Sequence, residues 1–169
     1  MQQDIATKNC ILSAHIIKRK IRRMALQIAE GNTEEASVFV AGIAGNGAIV
    51  AEKLVAELKQ ISSIDIKLLT IRLNKKEPLD AIIEGEQDFT NKVIIVVDDV
   101  SNSGKTLLYA LKPFMRYLPK KIQTLVLVER SHKLFAVQPD YVGLSLATTL
   151  QEHISVETEG SEITGAWLH

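Results

Sequence analysis

The chain has 169 residues, 46% of them hydrophobic and 24% charged, with 20 basic side chains against 20 acidic ones. This excludes a disordered or collagen-like chain, predicts one domain over residues 1–169, and leaves no global field to recruit nucleic acid or membrane. No apolar run approaches the roughly 20 residues of a membrane-spanning helix, Met1 to Cys10 lacks the apolar core of a signal peptide, and the single cysteine, Cys10, fits a cytoplasmic location.

Residues 11 to 30 predict an amphipathic helix, because Ala14, Ile17, Ile21, Met24 and Ile28 recur at three- and four-residue spacing and Gly31-Asn32 stops it. Its run from Lys18 to Arg23 holds five basic residues. A solvated helix face explains them, and a non-specific phosphate-binding patch is the alternative. Residues 36 to 43 predict a strand that closes on Gly42-Ile43-Ala44-Gly45-Asn46-Gly47, followed by a helix presenting Val50, Leu54 and Leu58. Residues 64 to 73 predict the next strand, and a polar stretch runs from Asn74 to Asn91.

Val93 to Val97 is a run of β-branched residues, the composition of a strand buried on both faces. It reaches Asp98-Asp99 and passes through Ser101-Asn102-Ser103-Gly104 into a helix expected to turn Leu108, Leu111 and Met115 inward. Residues 122 to 128 and 141 to 146 predict two more strands, and residues 151 to 169 an edge strand or small flap with Trp167 as anchor. Strands alternating with helices define an α/β domain, a mainly parallel sheet flanked by helices. Ligands of such sheets bind beyond the carboxyl ends of the strands. Both glycine-containing loops leave strands at that end, so they should lie side by side.

The segment Asp98-Asp99-Val100-Ser101-Asn102-Ser103-Gly104-Lys105-Thr106 carries the chemistry. Small residues entering a helix aim backbone N–H groups at one point, and Ser101, Ser103, Thr106 and Lys105 add hydroxyls and a positive charge. Hydrogen bonds to a charged group, each about 1.5–3 kcal/mol, outweigh a helix dipole of about 0.3–1 kcal/mol. Such a nest suits a phosphate monoester, while the two carboxylates suit neighbouring hydroxyls or a metal-bound diol. The combination describes a sugar phosphate. Two other readings compete. Gly104-Lys105-Thr106 fits the end of a Walker-type loop, although Asp99 stands where that motif needs its first glycine. The segment also reads as a capped helix after a buried strand, with solvated acids.

Gly42 to Gly47 also matches a relaxed dinucleotide fingerprint, but the acid that motif requires near the end of the following strand is missing; Arg72 stands there. His15, His153 and His169 show no metal-ligand spacing with acids or with Cys10.

The Asp-Asp motif resembles the phosphoribosyl diphosphate signature of type I phosphoribosyltransferases. With residues 11 to 32, the Gly42 loop, Leu127 to Lys133 and Asp140 to Gly143, the chain resembles the bifunctional pyrimidine operon regulator/uracil phosphoribosyltransferase family. The resemblance implies a nucleotide-metabolism enzyme of pyrimidine salvage that transfers phosphoribose from phosphoribosyl diphosphate to a nucleobase such as uracil. Under it, Asp98 and Asp99 hold the ribose hydroxyls, and Ser101, Asn102, Ser103, Gly104, Lys105 and Thr106 cradle the 5′-phosphate. Ala44, Gly45, Asn46 and Gly47 bind diphosphate through backbone amides, and Arg130, Ser131 and His132 lie near the base. Mg²⁺ is the expected cofactor, carried by the substrate and reached by Asp98 and Asp99 through water. A homodimer is the expected assembly.

The chain departs from that family in several places, among them Lys105 where the family carries an arginine. Ala44-Gly45-Asn46 replaces Lys-Thr-Arg in the diphosphate loop, residues 73 to 91 form a shorter lid, and Leu26 replaces a histidine of the RNA-contacting helix. Arg72, Lys75 and Lys76 are the candidate catalytic cations. A regulator that binds the donor, with or without RNA, and turns over little is therefore the alternative function.

Overall fold

The computed structural model describes residues 8–85 and 87–169. Met1 to Thr7, the first part of the Met1 to Cys10 segment expected to be no signal peptide, and the lid position Glu86 lie outside the described residues. Six strands form the main sheet in the order β4-β3-β2-β5-β6-β7. They are β2 (Ser37–Ile43), β3 (Asp65–Arg72), β4 (Ile82–Ile83), β5 (Val93–Ser101), β6 (Lys121–Arg130) and β7 (Tyr141–Leu146). All adjacent pairs run parallel except β3 with β4.

Two apolar layers sandwich the sheet, and the strand period sorts their side chains. On one face, Val38, Val40, Val93, Ile95, Val97, Leu125 and Leu127 pack under helices α1 (Ala14–Glu30) and α2 (Asn46–Ile61). On the other, Phe39, Ala41, Ile94, Val96 and Val126 meet α3 (Lys105–Ala110) and the 3₁₀ turn Lys112–Arg116. Phe89 closes this second layer. Its ring lies 5.3 Å from Phe39, 5.0 Å from Phe114 and 5.4 Å from Tyr117, edge to face in each case. At about 0.5–1.5 kcal/mol per pair, these contacts anchor the far end of the segment 73–91.

The first helix starts later than the periodicity alone predicts. Ile11 and Leu12 belong to strand β1 (Asn9–Ser13), and Ser13 caps the helix, its Oγ accepting from the Ile16 N–H at 3.4 Å. Ile17, Ile21, Met24 and Ile28 are buried as expected, while Ala14 is exposed. The third helix also differs. It ends at Ala110, and Leu107, Ala110 and Phe114 face the sheet, whereas Met115 is 64% exposed and Leu108 lies at the surface. Starting at Lys105, the helix brings a different three- and four-residue series onto the core.

The last segment is a hairpin, β8 (Ile154–Glu159) and β9 (Glu162–Leu168), turned by Gly160 at φ 59°. It joins β1 in a three-stranded antiparallel sheet, order β1-β9-β8. Trp167 sits within it opposite Cys10 and Ser155.

Candidate active site

The main sheet reverses its winding between β2 and β5. The chain passes from β2 outward to β3 on one side and from β5 outward to β6 on the other, so a crevice opens between the carboxyl ends of the two central strands. Gly42 pairs with Val97 across them, which puts the Ala44–Gly47 loop beside Asp98-Asp99 as the motif positions require. The two loops share one cleft of about 340 Å³, lined by Asn46, Lys75, Asp98 to Leu107 and His153 to Val156. A larger hollow of about 580 Å³ beneath β4, lined by Ile82, Phe89, Arg116 and Tyr117, receives none of the motif residues. Size therefore does not mark the site.

Asp98 and Asp99 lie within β5 rather than beyond it. The strand continues to Ser101, pairing Asp98 with Val126 and Ser101 with Glu129. Extending the β-ladder past the apolar run holds both carboxylates on rigid backbone. Asp98 is buried, and its Oδ1 accepts the Asp99 N–H at 2.9 Å. Lys75 Nζ lies 3.1 Å from Asp98 Oδ1, 3.3 Å from Oδ2 and 3.7 Å from Asp99 Oδ1. Burial, then the neighbouring charge of Asp99, push the Asp98 carboxyl up to about 7 against the opposing pull of Lys75. Burial disfavours the Lys75 ammonium, yet the two carboxylates outweigh it and hold its pKa above the ordinary lysine value.

Of the three candidate cations, only Lys75 meets the acids. Arg72 pairs with Glu84, and Lys76 presents its carbonyl to Lys105 Nζ at 3.3 Å. Lys105 thus holds the lid backbone in this state.

The loop after β5 is shaped by Gly104, whose φ of 86° lies in the left-handed region. The Ser103 carbonyl accepts from the N–H groups of Leu134 and Phe135, each at 3.0 Å, so the 131–137 segment braces the loop from behind. Beneath it lies a buried ion pair, Lys133 Nζ to Glu129 Oε2 at 2.6 Å. The Ser101 hydroxyl is buried in the cleft wall with no hydrogen-bond partner among the described residues. An unsatisfied buried hydroxyl costs about 1–3 kcal/mol, which a ligand oxygen accepting its hydrogen bond would recover.

In the first loop Gly45 adopts φ 96°, ψ −138°, with open space around its missing side chain. Gly47 is pressed against the acids: a Cβ there would lie 2.9 Å from Asp98 Oδ1 and 3.0 Å from the Val97 carbonyl. The Asn46 amide is spent on β8, donating to the Val156 carbonyl at 2.8 Å and accepting from Thr158 Oγ1 at 3.2 Å. The terminal hairpin is thereby fastened over the cleft, and His153 to Val156 become part of its wall. The motifs did not point to these residues, since only a contact 110 positions apart in the chain brings them in.

Arg130, Ser131 and His132 lie at the carboxyl end of β6 but do not line the cleft. Arg130 donates to the Thr149 and Glu152 carbonyls, and Ser131 and His132 are exposed.

No cluster of three or more His, Cys, Asp or Glu side chains suited to a metal is present among the described residues. Two adjacent carboxylates at an open cleft do fit Mg²⁺, which keeps several waters and is held by one or two carboxylates together with substrate phosphates.

A crevice at the switch point of a parallel sheet, with paired acids leading into a braced glycine loop, is the architecture of a sugar-phosphate transferase. The phosphoribosyl transferase domain model matches residues 9–159, and the chain belongs to that family as a phosphoribosyltransferase. It is 31% identical over 148 residues to the bifunctional protein PyrR of Streptococcus pneumoniae, covering 83% of this chain and 84% of that protein. Among solved structures, a hypoxanthine-guanine phosphoribosyltransferase of Bacillus anthracis superposes with a TM-score of 0.73 at 19% identity, covering 94% of this chain and 96% of that one. The hypoxanthine phosphoribosyltransferase of Trypanosoma cruzi, in complex with its product IMP, gives 0.75 at 14%, covering 98% and 86%. At these identities the likeness to the two solved structures is one of fold.

Proposed function

We propose that this protein transfers phosphoribose from the Mg²⁺ complex of phosphoribosyl diphosphate to a nucleobase, with uracil the preferred acceptor through its likeness to PyrR. One observation carries the reading: the paired carboxylate residues Asp98 and Asp99, and Ser101 with its unsatisfied hydroxyl, line the same cleft from one strand. Asp98 and Asp99 accept from the ribose 2′- and 3′-hydroxyls. Ser101 to Thr106 hold the 5′-phosphate, and the backbone of Ala44 to Gly47 meets the diphosphate. The bond from ribose C1′ to diphosphate oxygen breaks, that from C1′ to a base nitrogen forms, and the base gives up the proton on that nitrogen. Positive charge develops on the ribose while negative charge gathers on the leaving group, so positioning and electrostatic stabilisation supply the catalysis. Mg²⁺, when bound, neutralises part of the diphosphate charge.

A second reading has its own support. The first loop carries no cation, and its only polar side chain, Asn46, is engaged by β8. A donor-binding regulator with little turnover would look the same. Diphosphate release measured with Mg²⁺, phosphoribosyl diphosphate and a panel of pyrimidine and purine bases decides. Release with uracil supports the transferase, release with another base reassigns the acceptor, and donor binding without release for any base establishes the regulator. The same likeness leads us to expect a homodimer, checked by light scattering.

A further inference from the structure

We propose that Lys75 is the residue that selects phosphoribosyl diphosphate over ligands carrying ribose and a 5′-phosphate alone, by exchanging one anionic partner for another. The inference rests on the donor-site reading above and names a residue of that same site. Lys75 Nζ lies within 3.3 Å of both oxygens of Asp98 and 3.7 Å from Asp99 Oδ1. With the Asp99 N–H also on Oδ1, this leaves the Asp98 side chain 1% exposed. The carboxylate that would receive a ribose hydroxyl is thus already covered by an ammonium. Any ribose-bearing ligand must displace it.

What the displaced ammonium meets next decides the outcome. The Lys75 side chain is 47% exposed on its outer side and lines the same cleft as Asn46 of the diphosphate loop. That loop, Ala44-Gly45-Asn46-Gly47, has no cation of its own. A ligand with diphosphate at C1′ offers the freed ammonium a new anion close by, so the ion pair is exchanged. A ligand with only ribose and a 5′-phosphate breaks the pair and offers nothing near C1′ in return. The lid is built for such a movement. Its backbone is tied down on either side of Lys75 by the β3–β4 pairing and by Lys105 donating to the Lys76 carbonyl, while the Lys75 side chain crosses to the acids alone. After transfer, release of diphosphate returns Lys75 to the acids and helps expel the nucleotide.

The test compares calorimetric affinities for phosphoribosyl diphosphate and for ribose 5-phosphate, at one fixed Mg²⁺ concentration, in wild type, Lys75→Met and Lys75→Arg. In Lys75→Met the ratio of donor to ribose 5-phosphate affinity falls by roughly ten- to a hundredfold, the size of one hydrogen bond between charged groups. The donor loses a pair in both its free and bound states, while the smaller ligand no longer has a pair to break. Ribose 5-phosphate binds as well as before or better, and Lys75→Arg retains most of the wild-type preference. Equal weakening of both ligands, or an unchanged ratio, overturns the role of Lys75 while leaving the donor site standing. A wild-type protein that binds neither ligand overturns the donor-site reading and this proposal with it.

Discussion

Asp98 is a buried carboxyl held beside a second acid and a lysine. An unfolded chain releases its proton near 3.8, whereas the folded protein keeps it up to about 7, chiefly through burial. The folded state therefore binds the extra proton between those values. Its contribution to stability is present at low pH, falls as pH rises through that window and levels off above it. Asp98→Asn removes the titration. The stability difference between wild type and Asp98→Asn, from urea unfolding of ligand-free protein at pH 4 to 8, should shift steadily toward the variant and flatten above pH 7. A difference independent of pH would contradict the burial argument. The sequence made both acids visible, because an Asp-Asp pair that closes a β-branched run and leads into Ser101-Asn102-Ser103-Gly104 matches the phosphoribosyl diphosphate signature. Lys75 was one of three candidates, and nothing local distinguished it. Its selection depends on how the lid crosses the sheet end, a long-range property that residue pattern does not encode.

At the level of elements, the site is a junction of β5, the start of α2 and β8. Gly47 shows how tight the junction is. Replacing it with alanine gains about 1 kcal/mol of helix propensity, but the new methyl meets the Val97 carbonyl and the Asp98 carboxylate at 3.0 and 2.9 Å. Overpacking against a rigid backbone costs about 1–3 kcal/mol, so Gly47→Ala should lower the melting temperature and weaken donor binding together. A variant at least as stable as wild type, with unchanged affinity, would show that the loop relaxes freely. Periodicity located α1 and the central strands to within a few residues, and it put Val50, Leu54 and Leu58 on the face that α2 buries. It failed at Ile11 and Leu12, whose spacing fits a helix as well as a strand. It failed again at Leu108 and Met115, because the short α3 gave too few turns to fix its inward face. Strand β4, two residues long, had no pattern to show.

For the whole molecule, the parallel sheet, its flanking helices and the neighbouring loops all followed from strand–helix alternation and the rule that ligands bind at the carboxyl edge. The hairpin's role over the cleft did not, since it depends on Asn46 reaching Val156 and Thr158. The central claim is that the cleft at the switch point between β2 and β5 holds phosphoribosyl diphosphate through Asp98 and Asp99. The most direct measurement is thermal unfolding with that ligand plus Mg²⁺, against ATP plus Mg²⁺ and Mg²⁺ alone, in wild type and in Asp98→Asn with Asp99→Asn. At a hundred times its dissociation constant a ligand stabilises by about 2.7 kcal/mol, a rise of roughly 5–10 °C for a chain of this size. The account predicts that rise with phosphoribosyl diphosphate only, and its loss in a folded double variant. A rise with ATP alone, or an undiminished rise in the double variant, would contradict it.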